Sequence, residues 1–393
     1  MNNQLNLILS IFLAFSFTFC RKKSENDSFF HSQQKAELVI TDSIFLEPDS
    51  VSFLYFKMNN FKSGYIISLA NNGQVYLLRS DGSYIGKVGT KGYAPENYYL
   101  PVGISTLSPD SIFVADYQSG KILLFNKEGN YVNSWNVIKN DPLNTFSIFY
   151  NYLNVYRDTS KRLVFEYLGR SDKYYYMTNP DYYKNARLLT VHLPDLNIYK
   201  HYIPYEEGSP YLGQQFFLSP LDPCINKLPN NFYAVVFAHE DCIYLYNRVG
   251  ELVRKINGNS GYFPKAKGVS FSQADKQFGT DYVKYNIKQN ALNYLTFHSF
   301  YTSDFNLVIT KQYEAPVHDE NLPDDLNTLK YMYFRRDSYL QFYSLEGNKL
   351  FDDIKQPYRL RHLVYAESFD RLIFKVDPKL TEKNILYVAK LVY

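Results

Sequence analysis

Long apolar runs are scarce in this 393-residue chain, and that scarcity sets the first limits. Only residues 5–19 are predominantly apolar over fifteen positions, and nothing after them reaches the roughly 20 residues a membrane span needs. Helical periodicity is equally thin. Residues 273–289 alone approach a 3.6-residue repeat and are predicted as a helix inside a loop, so a helical solenoid is excluded. An excess of either charge is missing too: 42 Lys and Arg stand against 39 Asp and Glu, a net charge of +3. Nucleic-acid binding needs a concentrated basic face, and no nucleic-acid partner is expected.

Cysteine is nearly absent. Beyond Cys20 there are only Cys224 and Cys242. Cys224 precedes the first strand of its blade and Cys242 opens the third, so their strands lie roughly 9.6 Å apart, twice the strand spacing. A disulfide needs Cα atoms within about 7 Å, and two free thiols are expected.

Signatures of catalysis are also lacking. Gly258-Asn259-Ser260-Gly261 does not form a nucleophile elbow. Gly86 to Gly92 is glycine-rich, but it lacks the Gly-Lys-Ser/Thr of a phosphate loop and ends a strand instead of opening a helix. The seven histidines show no zinc-ligand spacing. His239-Glu240-Asp241 reads as a solvated hairpin turn, and Asp116 as a side chain that satisfies the backbone amides of its turn. No cofactor is implied.

Strands, by contrast, are everywhere. Residues 110–137 carry three in a row, 111–117, 120–126 and 130–137, rich in β-branched and aromatic residues and separated by Gln-Ser and Lys-Glu-Gly turns. The same cassette recurs six times. Outer strand pairs at 74–89, 121–135, 242–256 and 338–354 each turn on a glycine, which supplies the positive φ of a tight hairpin. The pair at 187–203 turns on Pro-Asp-Leu-Asn instead. Two inner strands precede each pair, and residues 330–337 in the fifth cassette have no assigned place. Segments such as KILLF and AVVF are apolar on both faces, as sheets sandwiched between neighbours require. The sixth cassette, with strands at 361–366, 371–376 and 385–392, is one short, while residues 37–46 form an orphan strand before the first. Joining the two closes a ring and removes a free edge. The predicted fold is all-β: a six-bladed β-propeller of four-stranded antiparallel blades over residues 37–393, closed by the N-terminal strand.

SIFVADYQSGKILLFNKEG resembles the NHL-type repeat of six-bladed, TolB-like propellers, with its I-x-V-A-D strand followed by F-x-x-x-G. The linker at 89–104 is similar to the segment that joins such blades, matching at Gly89, Gly92, Pro95, Glu96, Pro101, Gly103 and Ile104. The apolar run ending at Cys20 resembles a bacterial lipoprotein signal, in which that cysteine is lipidated, although Phe19 replaces a small residue and the first residues carry no Lys or Arg. Residues 1–20 are thus expected to be a lipoprotein-type signal peptide and 21–36 a polar tether. A leader of this kind on a Tyr- and Asn-rich propeller is similar to propeller lipoproteins of Bacteroidota. The resemblance implies a membrane-anchored protein of the cell envelope and no common activity.

Loop lengths indicate where a partner would bind. With strands a to d in each blade, the b–c loops and the d–a linkers leave one face, and nearly every long insertion belongs to that set. These loops are rich in aromatics, whose flat apolar faces and polar tips suit protein, peptide or glycan recognition. The candidate ligand-binding residues are Tyr93, Tyr98, Tyr99, Tyr174, Tyr175, Tyr176, Tyr211 and Phe263. The expected function is that of an envelope-anchored, non-catalytic binding propeller. The alternative is a propeller hydrolase of the lactonase or esterase kind with calcium in the central channel. It would need hard oxygen ligands converging from innermost strands, which offer only Asp158 and Glu367 at their ends.

Overall fold

The computed structural model describes residues 35–393 apart from 49, 58–63, 71, 109, 138–151, 169–181, 213–214, 217–222, 229–230, 238–239, 259–268, 271–294, 302–307, 316–322, 324, 334–335, 358–359 and 377–383. Strand β1 (Glu37–Phe45) comes first in sequence but belongs to the last sheet. Blade one is β2 (Phe53–Lys57), β3 (Tyr65–Ala70), β4 (Val75–Arg79) and β5 (Tyr84–Val88). Blade two is β6 (Pro101–Ser108), β7 (Ser111–Asp116), β8 (Lys121–Phe125) and β9 (Tyr131–Asn136). Blade three is β10 (Leu153–Arg157), β11 (Leu163–Leu168), β12 (Leu189–Leu193) and β13 (Ile198–Tyr202). After β14 (Gln215–Phe216), blade four follows as β15 (Cys224–Lys227), β16 (Tyr233–Val236), β17 (Cys242–Tyr246) and β18 (Leu252–Asn257). Strand β19 (Val269–Ser270) pairs with β14 outside the blades. Blade five is β20 (Leu295–Tyr301), β21 (Val308–Glu314), β22 (Ser338–Ser344) and β23 (Ile354–Lys355).

Blade six runs β24 (Leu360–Ser368), β25 (Arg371–Val376), β26 (Ile385–Val392), and its fourth strand is β1. The two ends of the propeller pair antiparallel from Glu37↔Val392 to Phe45↔Ile385. The chain is a six-bladed β-propeller, closed as its orphan strand and short last cassette predict.

Strands with apolar side chains on both faces make the ring. Among the described residues, six hydrophobic clusters lie between consecutive sheets, one per interface. The cluster with Ile66, Tyr76 and Leu78 against Ile373, Leu386 and Val388 seals blade one to blade six. Ile67, Leu69 and Leu77 meet Ile104, Ile112 and Val114 between blades one and two. Each fully buried side chain of this size stabilises by about 1.5–3 kcal/mol, so ring closure adds a whole interface. The hairpin glycines serve the same contacts. Gly82 has φ +92°, and a Cβ there would lie 2.0 Å from the Phe45 carbonyl oxygen; Gly129, at φ +82°, would meet the Lys87 oxygen at 2.0 Å. The turn of one blade thus packs against the last strand of the blade before it. In blade three, Asn197 takes the left-handed conformation in place of glycine, at φ 51°.

Innermost strands have an edge with no fifth strand, and side chains cover part of it. The Val155 amide donates to Ser105 Oγ at 3.1 Å, from blade three to blade two. The Leu363 amide donates to Gln312 Oε1 at 3.1 Å, from blade six to blade five.

Two local expectations need revision. The unassigned stretch at 330–337 overlaps a helix, Leu326–Tyr333, capped by Asp325, whose carboxylate accepts from the Thr328 amide at 2.7 Å. The outer strand of blade five does not run straight from its glycine turn. Lys349 makes one bridge to Tyr343, Leu350 and Phe351 turn into the cluster between blades five and six, and pairing resumes only at Ile354. Cys224, expected just before the first strand of its blade, lies within β15, and neither it nor Cys242 carries a disulfide. Burial pushes the Cys242 thiol up to about 12, with the Glu240 charge adding to it. The expected helix at 273–289 and Cys20 lie outside the described residues.

Candidate functional site

Asp116 ends the I-x-V-A-D strand, and its carboxylate is fully buried. Oδ1 accepts the amides of Tyr99 at 3.0 Å and Leu100 at 2.6 Å, and Oδ2 accepts the Ser119 amide at 3.1 Å. The expected role in its own turn is therefore half of what Asp116 does. The other half is to clamp the linker arriving from blade one.

That linker is rigid for further reasons. The Gly92 amide donates to the Tyr98 carbonyl at 2.9 Å, the Tyr98 amide to Thr90 at 3.3 Å, and the Asn97 amide to Ala94 at 2.9 Å. Tyr98 itself points inward. Its ring is completely buried between blades one and two, and its hydroxyl donates to the Val88 carbonyl at 2.7 Å. The same oxygen accepts the Val75 amide at 3.0 Å and Gln74 Nε2 at 2.6 Å. Burial raises this phenol well above its ordinary range.

Tyr93 and Tyr99 go the other way. Tyr93 is 82% exposed and stacks on Tyr99 with centroids 4.5 Å apart and planes 25° from parallel. Lys91 lies 5.8 Å from the Tyr99 ring centre, and its ammonium donates to the Asn72 carbonyl at 3.1 Å. Leu100 and Tyr117, both exposed, continue the same corner, joined by the Tyr117 amide to the Leu100 carbonyl at 2.9 Å. Four exposed apolar side chains on one hydrogen-bonded corner are more than the scattered ones any surface shows.

Of the expected ligand-binding residues, the structure brings Tyr93 and Tyr99 together at the surface. It corrects two others. Tyr98 is the hydroxyl hub just described, and Tyr211 is 2% exposed, packed on Tyr205 at 5.2 Å and Tyr183 at 5.4 Å. Both rings are core, because each closes the wedge between two blades, and neither has a face left for a ligand. Tyr174, Tyr175, Tyr176 and Phe263 lie outside the described residues.

Sequence reasoning missed two buried carboxylates between blades three and four. Glu166 of β11 is wholly buried. Its Oε1 accepts from Lys227 Nζ at 2.9 Å and the Tyr233 hydroxyl at 2.6 Å, and its Oε2 from Asn154 at 2.8 Å and Tyr152 at 3.3 Å. Lys227 Nζ also sits 3.4 Å from the Tyr156 ring centre. Burial first, and the Glu166 charge second, raise the phenols of Tyr152, Tyr156 and Tyr233 above their ordinary value of 10.0. The second carboxylate corrects the solvated-turn reading of His239-Glu240-Asp241. Glu240 is 7% exposed and accepts from Ser209 Oγ at 2.7 Å and from the Tyr244 hydroxyl. Asp241 pairs with the buried Lys311 of blade five. Ser209 and Lys311 lie 31 and 70 positions from their acids, and no local pattern points to them.

Among the described residues no group of three His, Cys, Asp or Glu side chains is placed to hold a metal. Asp158 and Glu367, the two acids at innermost strand ends, pair with Arg162 at 2.6 Å and Arg371 at 3.2 Å. Neither buried carboxylate is left open for chemistry: Glu166 already has four donors, and Glu240 is held by Ser209 and Tyr244.

No family model and no curated protein matches the chain. Solved structures do. A member of the DUF4221 family from Bacteroides vulgatus superposes over 92% of this chain and 99% of its own, with TM-score 0.66 and 12% identity. A candidate exported protein from Bacteroides fragilis superposes over 93% of this chain and 98% of its own, with TM-score 0.51 and 13% identity. The likeness is one of fold. These two proteins and the present chain are built on one architecture along nearly their whole lengths.

Proposed function

We propose that the chain is an envelope-anchored lipoprotein whose propeller is a non-catalytic binding module. It takes a protein, peptide or glycan partner on the face formed by the b–c loops and d–a linkers. The observation that carries this reading is the exposed Tyr93–Tyr99 stack on a linker pinned by Asp116. Rings that leave water only on binding, held by a scaffold that is already ordered, lose little freedom when a partner arrives. The run ending at Cys20 supplies the anchor, and fold likeness to a candidate exported Bacteroides protein agrees with an envelope location.

Two experiments test the two halves. Cys20→Ala is expected to abolish labelling by a clickable palmitate analogue and to move the protein out of the membrane fraction. Unchanged fractionation, with no label on the wild type, overturns the anchor. A photoreactive diazirine residue at position 93 or 175 is expected to yield adducts in living cells. The same residue at Val249, exposed on a short c–d turn, is expected to yield none. Adducts from position 249 alone would move the site to the other set of loops.

A further inference from the structure

Resting on that binding reading, we infer that the Tyr93–Tyr99 corner is a subsite for a neutral carbohydrate, with one pyranose ring seated flat on the open face of Tyr93. Shape excludes the other common modes. A helical or Pro-rich peptide needs a groove, and an extended peptide needs a free sheet edge. This corner is neither: Tyr93 stands 82% exposed at the top of a two-ring stack, on a linker whose backbone groups bond to Tyr98, Ala94 and Asp116. An open aromatic face carries the negative side of the ring quadrupole. The axial C–H bonds of a pyranose present a weakly positive flat patch of similar size, and its equatorial hydroxyls point outward to water or to polar groups at the rim.

Charge selects a neutral sugar over an acidic one. Two carboxylates belong to this corner: Asp116, buried and holding three amides, and Glu96, exposed on the linker between the two rings. Lys91 is exposed as well, with its ammonium on the Asn72 carbonyl and beside Tyr99. Lys91 and Glu96 carry opposite charges on one linker, so the corner offers a ligand no net charge of either sign. Polar recognition falls to the two phenol hydroxyls, while Leu100 and Tyr117 extend the apolar corner. A platform of this kind binds weakly per site and gains from a chain of sugars that touches several loops at once.

The test uses the full-length protein on an array of neutral and acidic oligosaccharides, followed by calorimetry with the best neutral hexasaccharide. Wild-type binding to a neutral oligosaccharide is expected, weakened at least ten-fold by Tyr93→Ala and by Tyr99→Ala with unchanged melting temperature. Tyr84→Ala, which removes an exposed tyrosine from β5, is expected to leave binding intact. Three results would overturn the inference: no oligosaccharide bound, only acidic ones bound, or neutral binding indifferent to both substitutions. If the array is blank while position 93 cross-links to a protein in cells, the carbohydrate subsite fails and the binding face stands. If position 93 yields nothing and both substitutions are silent, both fail together.

Discussion

Between blades one and two the facing side chains are Ile67, Leu77, Ile104, Ile112 and Val114, and one tyrosine, Tyr98, enters with its hydroxyl fully bonded. Between blades three and four aliphatics such as Leu189, Ile225 and Val235 share the space with Tyr183, Tyr205, Tyr211, Tyr233, Tyr244 and Tyr246, and Glu166 and Glu240 are buried beside them. Both interfaces must fill the wedge left by two twisted sheets. The first does so with branched aliphatics that need only area. The second adds rings whose hydroxyls must be satisfied, and Glu166 accepts from Tyr152 and Tyr233 while Glu240 accepts from Tyr244. Aliphatic packing tolerates small shifts; a network of charge-assisted hydrogen bonds fixes one register.

The largest test cuts across both wedges. Deleting residues 36–47 removes β1, opens the ring and leaves the outer edge of β26 bare, and soluble folded protein is expected to be lost altogether. A truncated protein that melts like the full chain would show that each wedge holds without closure. Next comes Glu166→Ala, which strands the Lys227 ammonium and is expected to destabilise by about 3–5 kcal/mol in urea titration. The double variant Glu166→Leu with Lys227→Met is expected to recover most of that loss. If it does not, the charged network supplies stability that apolar packing cannot replace, and the two wedges differ in strength as well as chemistry.

Tyr98→Phe is the matching probe of the aliphatic wedge. It leaves the Val75 amide without its acceptor and is expected to lower stability by about 1–3 kcal/mol. No change would mean water replaces the hydroxyl. The smallest effect is a difference of one phenol in the response to pH. Phenols raised by burial stay protonated in the folded chain while those of the unfolded chain ionise through 10.0. The unfolded state then binds fewer protons, so stability is intact below pH 10 and falls above it, by about 1.4 kcal/mol per phenol per pH unit. Tyr233→Phe is expected to make that slope shallower by one phenol, as read from urea midpoints on either side of pH 10.

The blades were legible because each repeats a β-rich cassette with apolar residues on both faces, and the closure because one strand was spare where another was missing. Local signals existed even for the helix at Leu326–Tyr333, since Asp325 stands at the N-cap before it. The carboxylate clusters were not legible. Glu240 and Asp241 sit in a polar triplet that reads as a solvated turn, and only the tertiary fold brings Ser209 and Lys311 to them. Tyr93, Tyr98 and Tyr99 show the limit most sharply. They share one irregular linker, where no period tells inside from outside. Hydrogen bonds from Gln74 and Val75 to the Tyr98 hydroxyl, and from the Tyr99 amide to Asp116, decide that Tyr98 turns in while Tyr99 stays at the surface.

The pairing of β1 with β26 also sets a clock. Thr41 donates to the Val388 carbonyl across 347 positions of sequence. At about 5–20 residues per second of synthesis, the first strand waits roughly 20–70 s for its partner to exist. Blades one to five pair strands that lie close together in sequence and can form while the chain is still growing. The sixth cannot. The last event in folding is therefore a single long-range docking, and until it happens β1 is a bare strand, the part of the molecule most open to chaperones, proteases and other copies of itself.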